Sequence, residues 1–206
     1  MRELYSRIAI VIIDIFPDIL RDILQSTISP QDLYKKCDTK FLNSCFSDQQ
    51  TYLKTLKFEN SFSYLDIPIM YKLLRYFSLI SPPSKGWGKA PDPTDRLIAD
   101  DVERIRMLRN EIAHRCDANI DKNTCDDFFV EFSEIGERID THFTGQTSYE
   151  QRVNDCRICP MDIKMQRKYE NAVKELENLK LSVHAQGAGF AIRKGWGGMG
   201  VDVKLF

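Results

Sequence analysis

Arg109, Asn110 and His114 form a compact group of phosphate-handling side chains within one short stretch of this chain. The arginine fork can hold two phosphate oxygens, and the asparagine amide can donate a hydrogen bond without changing charge. The histidine, with an ordinary pKa near 6.5, can take or give a proton near neutral pH. This is the equipment for acid–base chemistry at a phosphate, without a metal and without an organic cofactor.

Those residues need a rigid carrier, and the segment from Asp100 to His114 has the periodicity of a helix. At about 100° per residue, Leu97, Ile98, Val102, Ile105, Leu108 and Ile112 fall on one side. Glu103, Met107, Asn110 and His114 fall on the other. Arg109 lies about 140° around from His114, at the border of the apolar face, so only its long side chain can bring charge near the imidazole. Glu103, Arg106, Met107 and a preceding tryptophan, Trp87, complete the candidate face for RNA or for a second copy.

The rest of the chain must supply the scaffold. Its 206 residues suffice for one domain with a sizeable core, and 43% hydrophobic with 29% charged residues is an ordinary globular balance. A net charge of −1 gives no global attraction to nucleic acid or anionic membrane, so any such contact must be local. The apolar run Ile8 to Ile13 is broken by Asp14, Pro17 and Asp18, and no stretch approaches the roughly 18 apolar residues of a spanning helix. We expect an intracellular, most simply cytoplasmic, protein that does not enter a membrane. The six cysteines (37, 45, 116, 125, 156 and 159) are expected to be reduced thiols. Cys156 and Cys159 have ligand-like spacing but no second close pair, so no metal is assigned.

In chain order, Leu4, Ile8, Val11, Ile15, Ile19 and Ile23 keep helical spacing, with Ile10, Ile12, Ile13 and Phe16 filling the other sides. This predicts a helix central to a bundle, kinked or divided by Pro17 near Phe16. Ser29-Pro30 opens a short helix to about Lys36, Ser47 opens another to about Phe58, and Asp66-Ile67-Pro68 starts a third. Residues 78–93 have too many prolines and glycines for anything but a loop. Within it Trp87 either plugs the end of the bundle or offers a base-stacking platform.

Thr94-Asp95 is expected to cap the Asp100–His114 helix. Asp117 to Asn123 forms a polar turn, and Thr124 begins a helix carrying Phe128, Phe132, Ile135 and Ile139. Beyond Gly145 come a short helix from about Ser148 and a longer one over 161–181. Residues 182–206, rich in glycine, are expected to form a flexible tail, giving a helical domain over 1–181. His142 and His184 fall to a helix end and to the tail. With no β pattern competing, the fold class is an all-α helical bundle.

Arg109-Asn110-Glu111-Ile112-Ala113-His114 resembles the Arg-polar-x-x-x-His signature of the HEPN superfamily. The wider order is similar to the subfamily found in the DAZ-interacting zinc-finger ubiquitin ligase: an apolar first helix ending Pro17-Asp18-Ile19-Leu20-Arg21, then the segment Leu65 to Arg75. A Gly86-Trp87-Gly88 loop and the Asp100–His114 helix follow. The resemblance extends over roughly residues 4–181. It implies a HEPN-like bundle that pairs with a second copy so that two motifs share one cleft, and it implies metal-independent RNA cleavage by Arg109, Asn110 and His114. In that chemistry a symmetric pair supplies two copies of His114, one as base and one as acid. The alternative is a catalytically silent HEPN-fold module for dimerisation or partner recruitment in a signalling or defence system. No RING-type zinc domain accompanies the motif, so ubiquitin transfer is not expected.

Overall fold

The computed structural model describes residues 2–115 and 120–158, with 167, 168, 171 and 174 described singly beyond them. The helix expected over 161–181, the tail over 182–206, Cys159 and His184 lie outside the described residues or almost wholly so. Among the described residues every regular element is a helix.

The first helix runs from Arg2 to Thr27 in three parts: α1 (Arg2–Ile10), a π-helical turn (Val11–Ile15) and α2 (Phe16–Thr27). Pro17 is the physical cause of the division. It has no N–H to continue the ladder and sits in the first turn of α2, where no donor is required. Just before it, the Phe16 amide donates to the Val11 carbonyl, one residue further back than in an α-helix. Ile8, Val11, Ile15, Ile19 and Ile23 are fully buried, and so are Ile10, Ile12 and Phe16 on the other sides. The helix is central to the bundle, as its all-round apolarity requires.

Four short helices follow: α3 (Pro30–Lys36), α4 (Thr39–Asn43), α5 (Ser47–Thr55) and α6 (Ile67–Tyr76). Ser29, Asp38 and Asp66 cap α3, α4 and α6 by accepting from Asp32, Phe41 and Ile69 amides. The sequence offered no period for α4, which has five residues and buries one side chain, Phe41. Helix α5 stops at Thr55, short of the expected Phe58, whose ring is exposed.

The long helix α7 (Ile98–His114) packs on α6, α8 and the π-helical turn, burying Val102, Ile105, Leu108 and Ile112. Its start is not capped by Thr94-Asp95. Leu97 is the N-cap residue, and the Asp100 carboxylate reaches back to the Leu97 amide at 2.9 Å. Asp95 is used otherwise, accepting from the Asp92 amide at 2.8 Å within the loop.

Helix α8 (Lys122–His142) and α9 (Tyr149–Ile158) form an antiparallel pair closed by Gly145, which takes a positive φ of 72°. Asp140 accepts from the Tyr149 and Glu150 amides and so caps α9 from α8. Gly136 makes the pair close: a Cβ there would lie 2.6 Å from the Glu150 nitrogen.

Candidate functional site

The face of α7 away from the core is less exposed than its charges suggested. Asp100, Asp101 and Glu103 are at most 1% exposed, and Arg104 and Arg109 are 8% exposed. Burial of this many charges requires partners for each, and the loop before α7 provides them. Asp100 accepts from the Ser84 amide (2.7 Å) and hydroxyl (2.8 Å). Arg104 donates to the Asp92 and Asp95 carbonyls at 2.7 and 2.8 Å. Asp101 binds Arg104 at 2.9 Å and Arg138 of α8 at 2.7 Å.

Glu103 is the knot of this arrangement. It accepts from the Tyr71 hydroxyl (2.5 Å), the Gly88 amide (2.6 Å) and the Arg106 Nε (2.8 Å). Burial first, and the Glu103 carboxylate beside it next, push the Tyr71 hydroxyl pKa up to about 12. The expectation that Glu103 lies on an open face is therefore corrected: the loop folds over it, because Gly86 and Gly88 both adopt a φ of 82° and bring the Gly88 amide inward. Trp87 between them is half-buried, packs on the core and meets Tyr71 edge-on at 5.4 Å. Arg106, half-buried, lies over the Tyr71 ring at 5.4 Å.

The exposed part of α7 is its outer stripe toward the C-terminal end. Met107 is 37% exposed, Asn110 is half-buried and His114 is exposed. Arg109 Nη1 donates to Asn110 Oδ1 at 3.0 Å. That bond occupies the amide oxygen and leaves the Asn110 NH₂ as a donor. Arg109 and His114 share no hydrogen bond among the described residues. Instead Arg109 lines a cleft with Arg21, Asp66 and the start of α6. Burial lowers its proton affinity and the Asp66 charge opposes that shift.

Residues 20–169 match the family model of the DZIP3/hRUL138-like HEPN domains. The chain belongs to this HEPN family. The match begins inside α2, so α1 and the π-helical turn precede it, a narrower span than the 4–181 expected from motif order. No curated protein and no solved structure matches the chain. Arg109, Asn110 and His114 all lie on α7, with Arg109 and Asn110 in contact and His114 apart.

Two cleft residues of this HEPN domain had no role in the sequence reading: Arg21 and Tyr64. Arg21 belongs to the Pro17–Arg21 segment that helped to identify the family, but only the fold brings it opposite Arg109. Among the described residues no three metal-ligating side chains cluster, and no helix is long and apolar enough to cross a membrane. Cys37, Cys45, Cys125 and Cys156 are free thiols. Burial pushes the Cys156 thiol up to about 11.

Proposed function

We propose that this chain is an RNA-directed HEPN domain that works as a homodimer, with the Asn110 and His114 stripe of each copy facing a shared cleft. The observation that carries this reading is the exposure of His114 beside an Asn110 amide already held by Arg109. Such a stripe leaves one imidazole per chain open to a ligand. Two copies together supply the base and the acid. In the cleavage step the RNA 2′-oxygen bonds to the adjacent phosphorus while one imidazole takes its proton. The bond from phosphorus to the 5′-oxygen breaks, and the second imidazole protonates the departing oxygen. Asn110 donates to the phosphate oxygens, and Arg109 acts as the residue that positions Asn110.

The test is incubation of the purified chain with single-stranded RNA in the presence of a chelator. We expect cleavage that is lost in His114→Ala and strongly reduced in Asn110→Ala. Full activity in His114→Ala would overturn the catalytic assignment.

A second reading is supported by the burial of Arg109: a catalytically silent HEPN module for self-association or partner recruitment in a signalling or defence system. A cation turned into its own bundle cannot neutralise a phosphate beside His114 without moving. This reading expects a dimer in solution and no RNA turnover. Sedimentation of the wild-type chain and of an Asn110→Glu variant, alongside the cleavage assay, separates the two.

A further inference from the structure

Of Arg104, Arg106, Arg109 and Arg115, three are committed within the chain. Arg104 donates through Nη1 to Asp101 and through Nη2 to the Asp92 and Asp95 carbonyls. Arg109 is 8% exposed and bonded to Asn110. Arg115 pairs with Glu111 at 3.7 Å. Arg106 differs. Its Nε donates to Glu103 at 2.8 Å, while Nη1 and Nη2 have no partner among the described residues and both reach solvent. A guanidinium has five N–H donors, so the edge formed by Nη1 and Nη2 keeps four, an arrangement that can hold two oxygens of one phosphate.

That edge is held in position. Glu103, whose side chain is fully buried, is fixed by the Tyr71 hydroxyl and the Gly88 amide as well as by Arg106. The Arg106 guanidinium also lies over the Tyr71 ring at 5.4 Å, a cation–π contact. An arginine restrained at Nε and over a ring has less rotamer freedom to lose when it meets a ligand. Along α7, Arg106, Asn110 and His114 follow at four-residue steps, within about 80° of arc at about 100° per residue. About 12 Å of helix rise separates Arg106 from His114. Helix side chains lean toward the N-terminus, which takes the guanidinium further from the imidazole. One phosphate cannot touch both.

We infer that Arg106 holds a flanking phosphate of the RNA strand, one or more nucleotides from the bond being cut, so that the strand runs lengthwise along α7. This rests on the RNA-directed reading and gives that site a residue for positioning the strand. With Arg109 turned inward, Arg106 is the cation with an unpartnered donor edge that the Asn110 stripe presents to solvent among the described residues. A contact to a flanking phosphate strengthens the bound substrate and the transition state alike, so it acts on KM. His114 acts on the reacting atoms and so on kcat.

The experiment uses the full chain with single-stranded RNA for cleavage kinetics in chelator, and with the same strand carrying 2′-O-methyl groups, which cannot be cut, for binding across a salt series. Arg106→Gln is expected to raise KM about tenfold and to keep kcat within about twofold. It should also flatten the slope of log affinity against log salt by about 0.7, the share of one phosphate contact on a single strand. Arg106→Lys should restore the slope, and Arg109→Gln should leave it as in wild type; a purely structural role would not move it. If Arg106→Gln unfolds because Glu103 loses its cation, Glu103→Gln combined with Arg106→Gln removes both charges, and the same changes are expected. Unchanged KM and slope in the folded variant, or a loss of kcat alone, would overturn the assignment, while cleavage by wild type would leave the RNA-directed reading in place. A wild-type chain that neither binds nor cuts the strand would overturn both. Binding with the flattened slope in the variant but no cleavage by wild type would support the Arg106 contact and remove the nuclease reading alone.

Discussion

Arg109 makes its one hydrogen bond among the described residues to its immediate neighbour, donating from Nη1 to Asn110 Oδ1 at 3.0 Å. Adjacent residues on a helix point about 100° apart, so this contact spans from the buried border to the outer stripe. It links Arg109 to Asn110 and leaves His114 exposed on the same helix.

The two ends of the motif should therefore differ in what they hold up. Arg109→Ala removes a buried side chain and frees Asn110, and should cost about 1–3 kcal/mol of stability. His114→Ala changes an exposed residue and should stay within about 0.5 kcal/mol of wild type. Urea unfolding followed by circular dichroism checks both; equal losses would contradict the assigned geometry.

Much of this is legible in the sequence. The helix of Leu4 to Ile23, the caps at Ser29 and Asp66, and the apolar side of α7 all follow from local patterns that the chain writes plainly. The motif placed Arg109, Asn110 and His114 on one helix and the angle between Arg109 and His114 forewarned that they need not meet. What was hidden is long-range. Glu103 reads as a solvent-facing carboxylate until Gly88 folds onto it, and no periodicity in residues 78–93 announces that fold. Arg21 and Arg109 are distant in sequence, so their shared cleft exists only in the packed bundle.

The pH dependence of stability should carry the mark of Tyr71. Its pKa is raised from 10.0 to about 12, so the native state keeps a proton that the unfolded chain gives up. The sign follows: its contribution is fully present below about pH 10 and is lost as the pH rises through about 12. Alkaline unfolding combined with ultraviolet difference titration should show a late step at about 12 from Tyr71, below that of Tyr149, whose hydroxyl is raised further by burial and the Asp22 carboxylate. In Tyr71→Phe that late step should vanish, from a lower starting stability because Glu103 loses a donor.

Asp101 holds two guanidiniums, Arg104 and Arg138, while 1% exposed. Asp101→Asn keeps the shape and removes the charge, leaving two cations with reduced compensation. A loss of about 3–5 kcal/mol is expected. Thermal and denaturant unfolding measure it, and Arg138→Met in the same background should recover part of the loss.

Gly136→Ala tests the α8–α9 pair. In an open helix the change would be mildly favourable, but here the added methyl meets the Glu150 backbone at 2.6 Å, where no side chain can move aside. The helices must separate, at a cost of about 1–3 kcal/mol. Hydrogen exchange should accelerate first in α9.

The π-helical turn sets the phase of the whole first helix. Leu4 and Ile23 are 19 residues apart, so at about 100° a residue an unbroken α-helix would bring Ile23 about 100° out of line with Leu4. One surplus residue absorbed between Val11 and Ile15 cancels that drift. The stripe Leu4, Ile8, Val11, Ile15, Ile19 and Ile23 thus runs straight down the bundle, letting α1 meet α8 and α9 while α2 meets α6. The segment is consequently intolerant of a change in length: deleting one residue would turn α2 by about 100° against α1 and put one half of the core out of register with its neighbours.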